Sequence, residues 1–193
     1  MNIIQSHDVT LTGKTDHFCI QLIPMTDQHL PLLYKWNTRS EVLYWCEGDD
    51  VVTNTEEDVR GIYGSVSQSA FMFMICVDGV LIGEGWLQDM NLPVIKEKHA
   101  GKNVKRIDMA IFEKEFWGKG IGSVVNQMLL EFGFSQRNAD LIYAITEDYN
   151  LRAQKCLTKS GFIFDCQIEH PATSKGKEED CYFISKEGYG RKS

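Results

Sequence analysis

Apolar residues recur along the second half of the chain with the periods of strands and helices. Ile107, Met109 and Ile111 alternate with other residues in the segment 106–112, as in a strand with one buried face. A short apolar strand is predicted over residues 141–146, and a helix over residues 150–162 that ends on a left-handed Gly161. Between them, helical spacing predicts an amphipathic helix through Val124, Val125, Met128, Leu129, Phe132 and Phe134.

The first half of the chain is less regular. The pattern predicts a strand over residues 20–26, a helix over residues 27–38 and then an aromatic turn with Tyr44 and Trp45. Residues 88–105 predict a long irregular segment between two strands, a kind of loop that is often functional. Residues 1–17 are polar, lack the layout of a signal peptide and predict a loosely packed extension before a single domain, residues 18–193. Residues 175–179 predict a turn between the last strands.

A glycine-rich turn joins the strand 106–112 to the helix that follows. Gly118, Gly120 and Gly122 stand at every second position, so successive N–H groups can point into one concavity at a helix N-terminus. Such a position favours a phosphate or pyrophosphate group. The spacing matches neither a Walker loop nor a dinucleotide-binding fingerprint. A tight turn without a ligand remains the alternative.

Composition narrows the class of protein. The 193 residues carry a formal net charge of −7, which argues against a nucleic-acid partner and weakly favours a cationic substrate. No apolar run is long enough to span a bilayer. The six cysteines form no C-x-x-C motif and no metal-like pattern with the five histidines, so we expect no metal site and a reducing, cytoplasmic location. We expect a monomer or a homodimer.

Two motifs resemble those of the GNAT superfamily of acetyl-CoA-dependent N-acetyltransferases. The segment 117–122, Trp-Gly-Lys-Gly-Ile-Gly, is similar to the acetyl-CoA loop R/Q-x-x-G-x-G/A, with Trp117 in place of Arg or Gln. The second motif, N-x-R-A ending in K-x-G-F, is matched by Asn150, Arg152, Ala153, Lys159, Gly161 and Phe162. The pair Ile107-Asp108 and the tail 177–182 further resemble the aminoglycoside 6'-N-acetyltransferases.

The resemblance implies a mixed α/β fold: a twisted, mostly antiparallel sheet flanked by helices, with a splayed central strand pair that binds acetyl-CoA. It implies acetyl-CoA as the cofactor and CoA as the product. It implies that backbone amides of the glycine turn hold the pyrophosphate and that Ile111 and Phe112 pair with the pantetheine arm. The implied cofactor-binding residues are Ile111, Phe112, Trp117, Gly118, Lys119, Gly120, Ile121, Gly122, Ser123, Asn150 and Arg152. Asn150 suits a helix N-cap equally well.

Asp108 is the catalytic candidate, because a charge on an otherwise apolar strand is costly unless it is paired or functional. An ion pair with Arg106 or Lys105, or plain solvent exposure, is the alternative. In the resembled enzymes this aspartate contacts the acceptor amine. Leu157 occupies the place where many members carry a tyrosine that protonates the thiolate. Water, Tyr143 or Tyr149 is left as the proton source, or the chain is a slow catalyst.

The acceptor is expected to be a small cationic amine, most directly the 6'-amine of an aminoglycoside. Alternatives are a protein N-terminus, a lysine, a polyamine metabolite, or CoA binding without catalysis. A nucleotide-binding fold is disfavoured by the glycine spacing. Each acidic candidate for the acceptor site is, taken alone, more typical of a solvated surface charge than of a ligand, but together they favour an acceptor site. The candidates are Tyr44, Trp45, Glu47, Glu84, Trp86, Glu147 and Asp148, with Asp49 and Asp50 in the same acidic segment.

Overall fold

An eight-stranded sheet forms the centre of the protein in the computed structural model, which describes residues 2–46, 53–169 and 178–190. The strand order is β1-β2-β3-β4-β5-β6-β8-β7. The strands are β1 Leu11–Lys14, β2 Cys19–Pro24, β3 Ala70–Val77, β4 Val80–Asp89, β5 Val104–Ile111, β6 Leu141–Glu147, β7 Ile163–Glu169 and β8 Glu178–Ser185. The helices are α1 Leu30–Asn37, α2 Ser40–Cys46, α3 Glu56–Val66, α4 Pro93–Lys98, α5 Ile121–Glu131, α6 Leu151–Ser160 and α7 Lys186–Gly190.

The sheet opens between its two central strands. β5 and β6 form the parallel pair of an otherwise antiparallel sheet, and their ladder ends at Ile107 and Ala144. Both strands continue beyond that point, β5 to Ile111 and β6 to Glu147, without pairing to each other. The mixed α/β fold with a splayed central pair therefore agrees with the prediction from the sequence.

The two faces of β5 serve different layers. Ile107 and Met109 belong to the core under α5 and α6, together with Val125, Leu129 and Leu157. The alternating residues Arg106, Asp108 and Ala110 lie on the opposite face, where Ala110 packs against the core formed with α1 and α3. One strand therefore lines the helical core with one set of side chains and the opposite cleft with the other.

Residues 88–105 are more regular than predicted. β4 continues to Asp89, α4 spans Pro93–Lys98 and β5 starts at Val104. Pro93 occupies the first helical position, where its missing N–H costs nothing, and only Ile95 of this short helix is buried. A single buried residue among the six of α4 gives too weak a periodic signal to predict a helix.

The predicted aromatic turn was also wrong, since Tyr44 and Trp45 lie in α2.

The polar N-terminal segment is packed rather than loose. β1 pairs with β2 from Leu11 opposite Leu22 to Lys14 opposite Cys19, and Ile4 is only 1% exposed. The N–H groups of Ile3 and Ile4 donate to the Asp27 carboxylate, with Ile4 at 2.8 Å from Oδ1. These hydrogen bonds lower the pKa of Asp27. The expectation of a loosely packed extension was therefore wrong.

Replacing Gly13 by valine is expected to destabilise the protein by about 1–3 kcal/mol, a cost usual for overpacking. A Cβ atom at this position would lie 2.7 Å from Met128 Sδ and 2.9 Å from Val124 Cγ1 of α5. Urea unfolding measures the change. The control is Gly61→Ala in α3, where a Cβ meets nothing within 4 Å and helix propensity favours alanine by about 0.5–1 kcal/mol. A Gly13→Val protein as stable as the parent would show that the close packing of β1 against α5 does not contribute to stability.

No helix within the described ranges has the length and apolar character needed to cross a bilayer.

Candidate active site

The N-terminus of α5 has the geometry of an anion site. Gly118 and Gly120 adopt left-handed φ angles of 75° and 80°, and Gly120 is the N-cap of the helix. Val124 donates to the Gly120 carbonyl at 3.3 Å, so the amides of Ile121, Gly122 and Ser123 precede the first intrahelical hydrogen bond. Free amides at the positive end of a helix favour a phosphate group.

Gly122 has a different role from the other two glycines. A Cβ atom there would lie 3.2 Å from both Cys156 Sγ and Met109 Cε. Its missing side chain lets α5 approach α6 and β5 closely. Ile121 is also a core residue, 1% exposed, so its side chain cannot reach a ligand and only its backbone can contribute.

The backbone of β5 faces the splay through Met109 and Ile111. The Phe112 N–H donates to the Ile82 carbonyl at 2.9 Å, so this N–H is directed to β4 and is engaged there, whereas the sequence predicted that Phe112 pairs with the pantetheine arm. Hydrogen-bonding direction alternates along an antiparallel ladder, which turns the N–H and C=O groups of Ile111 and Met109 toward β6. Met109 was not among the predicted site residues, although its parity with Ile111 could have indicated this shared direction.

Trp117 connects the glycine turn to β5 and α6. Its indole N–H donates to the Ile111 carbonyl at 2.7 Å, leaving the Ile111 N–H as the group directed into the splay. The Arg152 guanidinium lies 4.2 Å from the centre of the Trp117 ring and 5.5 Å from that of Trp45. Arg152 thus contacts an aromatic ring on each side, one from the glycine turn and one from α2.

Asn150 is the N-cap of α6. Its Oδ1 accepts from the Ala153 N–H at 3.1 Å, and its Nδ2 donates to the Trp45 carbonyl at 2.9 Å. The neighbouring Tyr149 hydroxyl donates to the Tyr44 carbonyl at 2.5 Å. The end of α2 is therefore fixed to the segment between β6 and α6. One donor hydrogen and one lone pair of the Asn150 amide remain for a ligand.

A surface groove of about 970 Å³ extends from the N-terminus of α5 toward β1. Its lining includes Gly120 and Ser123 of the glycine turn and α5, and also Lys14 and Lys159. Lys119, also in the groove, lies 5.5 Å from the ring centres of both Phe18 and Phe116. The groove has the size to take the nucleotide part of a phosphate-containing cofactor, and its lining combines these three lysines with Asp16 and Glu131.

Asp108 accepts three hydrogen bonds on the opposite face of β5. Trp86 Nε1 and Gln88 Nε2 donate to Oδ2 at 2.9 and 3.0 Å, and Arg106 Nη2 donates to Oδ1 at 2.7 Å. The side chains of Arg106 and Asp108 are 19% and 18% exposed. Burial opposes the charge of Arg106, but the attraction and hydrogen bond of Asp108 outweigh it and raise the pKa of Arg106. The ion pair with Arg106 therefore exists, whereas Lys105 pairs with Asp89.

Other predicted acceptor residues lie close to this carboxylate. Trp86 is the register partner of Asp108, and Glu84 is the partner of Ala110 on the same face. Glu84 is 5% exposed, and the Tyr63 ring meets that of Trp86 edge to face at 6.4 Å. The β4 and β5 strands thus form a floor that carries two carboxylates and an indole.

The remaining acidic candidates lie elsewhere or outside the described residues. Glu147 is buried at the end of β6, opposite Glu179 of β8. The Asp148 backbone is held by the Glu178 carbonyl and by Gln154 Nε2. Glu47, with Asp49 and Asp50, lies outside the described residues, as does most of the predicted turn 175–179, of which Glu178 and Glu179 already belong to β8.

Both tyrosines considered as a proton source have hydroxyls that are engaged in other hydrogen bonds. Tyr143 is fully buried near the start of β6, its hydroxyl 2.7 Å from His99 Nε2 and donating to Asp165 Oδ2 at 3.0 Å. Burial, followed by the interaction with Asp165, raises the pKa of Tyr143. The Tyr149 hydroxyl is engaged by the Tyr44 carbonyl. Leu157 is a core residue of α6.

Replacing Tyr143 by phenylalanine is expected to destabilise the protein without changing the rate of acetyl transfer. The loss of one hydroxyl removes hydrogen bonds to the half-buried side chains of His99 and Asp165, at a cost of about 1–3 kcal/mol. Thermal unfolding and CoA-release rates measured on one preparation separate the two effects. A large drop in kcat with unchanged stability would restore Tyr143 as the proton source.

Comparison with known proteins agrees with this geometry. The model of the acetyltransferase (GNAT) domain matches residues 20–163. The aminoglycoside N(6')-acetyltransferases type 1 of Klebsiella pneumoniae and of Serratia marcescens are each 27% identical over 166 residues, covering 79% of this chain and 77% of the relative. The crystal structure of AAC(6')-Ib with ribostamycin and coenzyme A superposes with a TM-score of 0.75 at 23% identity, over 91% of this chain and 97% of that one.

A second structure of AAC(6')-Ib, described with paromomycin and acetyl-CoA, gives a TM-score of 0.74 at 22% identity. At identities this low, the two superpositions establish the fold alone. The match to the domain model spans well over half of the chain and establishes the family. With this match, and with a glycine turn and splayed strands that agree with it, the chain belongs to the GNAT family of acetyltransferases.

Proposed function

We propose that the protein transfers the acetyl group of acetyl-CoA to a primary amine of a cationic acceptor, the 6'-amine of an aminoglycoside. The observation that carries this proposal is the position of Asp108 on β5. One edge of this strand pairs with β4, and its other edge faces the splay between β5 and β6. A substrate amine bound to this carboxylate lies beside the backbone that would hold the thioester. The curated relatives at 27% identity are named for this 6' reaction.

The residues present fit acetyl-CoA. The amides of Ile121, Gly122 and Ser123 would hold the pyrophosphate, and the groove toward Lys14 and Lys159 would take the nucleotide. The N–H and C=O groups of Met109 and the N–H of Ile111 would pair with the pantetheine arm. Acetyl-CoA supplies the activated acetyl group, and a strand N–H directed at the thioester oxygen would stabilise negative charge there.

Asp108 has one hydrogen-bonding position left for an amine. A carboxylate offers about four lone-pair sites, and three are taken by Trp86, Gln88 and Arg106. Both sites of Oδ2 are used, so the remaining one is on Oδ1. A carboxylate is too weak a base to deprotonate an ammonium by itself, so Asp108 positions the amine and its proton leaves through water.

Leu157 gives the thiolate no protein donor at the place of the usual tyrosine. A thiol has a pKa near 8.5, so a thiolate can leave and be protonated by water near neutral pH. The same leucine motivates a second candidate, a CoA-binding protein without catalysis. The two candidates differ in turnover and not in cofactor binding.

A free-thiol assay of CoA release from acetyl-CoA tests the proposal. The panel pairs aminoglycosides bearing a 6'-amine with analogues bearing a 6'-hydroxyl, and adds polyamines and N-terminal peptides. Release with the amines and none with the hydroxyl analogues supports both the reaction and its position. Release only with peptides or polyamines replaces the acceptor. Thermal stabilisation by acetyl-CoA without release from any member supports the non-catalytic candidate.

A further inference from the structure

We propose that Arg106 is a positioning residue that offsets the charge of Asp108, so that the acceptor binds there as a neutral amine. This inference rests on the proposed function, because it concerns how the amine arrives at Asp108. Acetyl transfer needs the nitrogen lone pair, and an unpaired buried carboxylate would instead stabilise the unreactive ammonium. The ion pair on β5 resolves this conflict between binding and reactivity.

The hydrogen bonds place the incoming amine next to Arg106. Trp86 and Gln88 occupy Oδ2, while Arg106 Nη2 lies 2.7 Å from Oδ1. The open lone pair is on Oδ1, so the guanidinium and the amine share one oxygen. Two such bonds bring the two nitrogens within about 4–5 Å of each other. A permanent cation at this distance disfavours a second positive charge.

Arg106 is itself held in place. It lies two residues before Asp108 on the same face of β5, with Nη1 3.4 Å from Asn91 Oδ1. Its Nε is buried without a hydrogen-bond acceptor among the described residues. A guanidinium with an unsatisfied N–H in a site that is one-fifth exposed is costly to keep. Its interaction with Asp108 offsets that cost.

Other titratable groups face the pair from neighbouring elements. They are Glu84 on β4, Tyr143 on β6, Glu179 and Cys181 on β8, and Tyr63 on α3 behind Trp86. Burial raises the pKa of Cys181 to about 12 and raises that of Tyr143, so neither gains charge in the working range. Glu84 and Glu179 are present in both parent and variant, and the interaction of Glu179 with Arg106 is lost together with the guanidinium.

The test is the pH profile of kcat for Arg106→Gln at saturating acetyl-CoA and 6'-amino acceptor. The kcat profile reports groups in the bound complex. We expect its rising limb to move to higher pH by about one to three pH units, as for removal of a charge in contact. At neutral pH kcat falls tenfold or more and recovers in alkaline buffer, while KM for the acceptor does not rise.

Two controls separate this effect from damage to the fold. Arg106→Lys keeps the charge and is expected to keep the profile of the parent. Lys105→Ala also removes a cation of β5, but this cation pairs with Asp89 and not with Asp108. The pH profile of kcat for this variant should not move. A loss of kcat in Arg106→Gln that is equal at every pH would mean a structural role and would overturn the proposal.

Calorimetry of acceptor binding to the CoA-loaded protein, in buffers of different ionisation enthalpy, gives a measure independent of turnover. The parent should release about one more proton than Arg106→Gln on binding a 6'-amino aminoglycoside near neutral pH, and equal release would refute the inference. If the parent transfers the acetyl group but the pH profile of kcat does not move in Arg106→Gln, this inference alone is overturned. Absence of both transfer and binding overturns the proposed function, and the inference with it.

Discussion

Asp108→Asn is expected to lower kcat by about 10²–10⁴-fold while leaving the affinity for acetyl-CoA unchanged. The amide has one oxygen in place of two, and its NH₂ group faces donors that now point at Asp108. The acceptor amine then loses both its charged partner and a defined position. The cofactor is held from the other edge of β5 and from α5, so its dissociation constant should not change.

CoA release and acetyl-CoA titration measure the two quantities. Asp89→Asn is the control. Asp89 is also a carboxylate paired with a cation of β5, Lys105, but its side chain is mostly exposed and lies at the end of β4. The Asp108 variant is also expected to lose about 1–3 kcal/mol of stability, because Arg106 is left without its counter-ion. Rates are therefore compared per folded molecule. An unchanged kcat would remove Asp108 from the reaction.

Gly120→Ala is expected to weaken acetyl-CoA binding at least tenfold, which corresponds to about 1.4 kcal/mol. Gly120 has a φ of 80°, and a Cβ there meets no protein atom within 4 Å. The fold therefore has space for the methyl group, but left-handed backbone costs alanine about 1–2 kcal/mol. The methyl group also projects from the turn whose amides would receive the pyrophosphate, and any relaxation of φ moves those amides.

Gly101→Ala is a matched control for this backbone cost. Gly101 has a φ of 82°, and a Cβ added there would likewise meet no atom within 4 Å, but it lies in the turn before β5, at the opposite end of that strand. Both variants should lose similar stability in thermal unfolding, and only Gly120→Ala should lose affinity in calorimetric titration. Equal acetyl-CoA affinity in the two variants would show that this turn is not the cofactor site.

The segment from β5 to α6 was predictable because its signals are local and agree with one another. Alternation in β5, helical spacing in α5 and an Asn150 cap with a terminal Gly161 each depend on neighbours within a few residues. Gly161 has the left-handed φ of 102° that its place at the end of α6 required. Tertiary packing did not need to be known for any of these elements.

The missed features depend on partners that are distant in sequence. The packing of β1 rests on the absence of a side chain at Gly13, which has meaning only beside Val124 and Met128 of α5. The direction of the Phe112 N–H could not be predicted, because it depends on the register with β4. The donors Trp86 and Gln88 reach Asp108 across that same register, about twenty residues away, so no pattern around Asp108 could reveal them.

The early end of the β5–β6 ladder divides the sheet into two mechanical units. Only four residue pairs join β5 to β6, whereas β5 has seven with β4 and β6 has seven with β8. Between the strands β4, β5, β6 and β8, the shortest ladder therefore lies beside the site where the amides of Met109 and Ile111 have no register partner on β6. Occupancy by a ligand would complete this ladder, so hydrogen exchange at those two amides should slow on binding and report the coupling of the two halves directly.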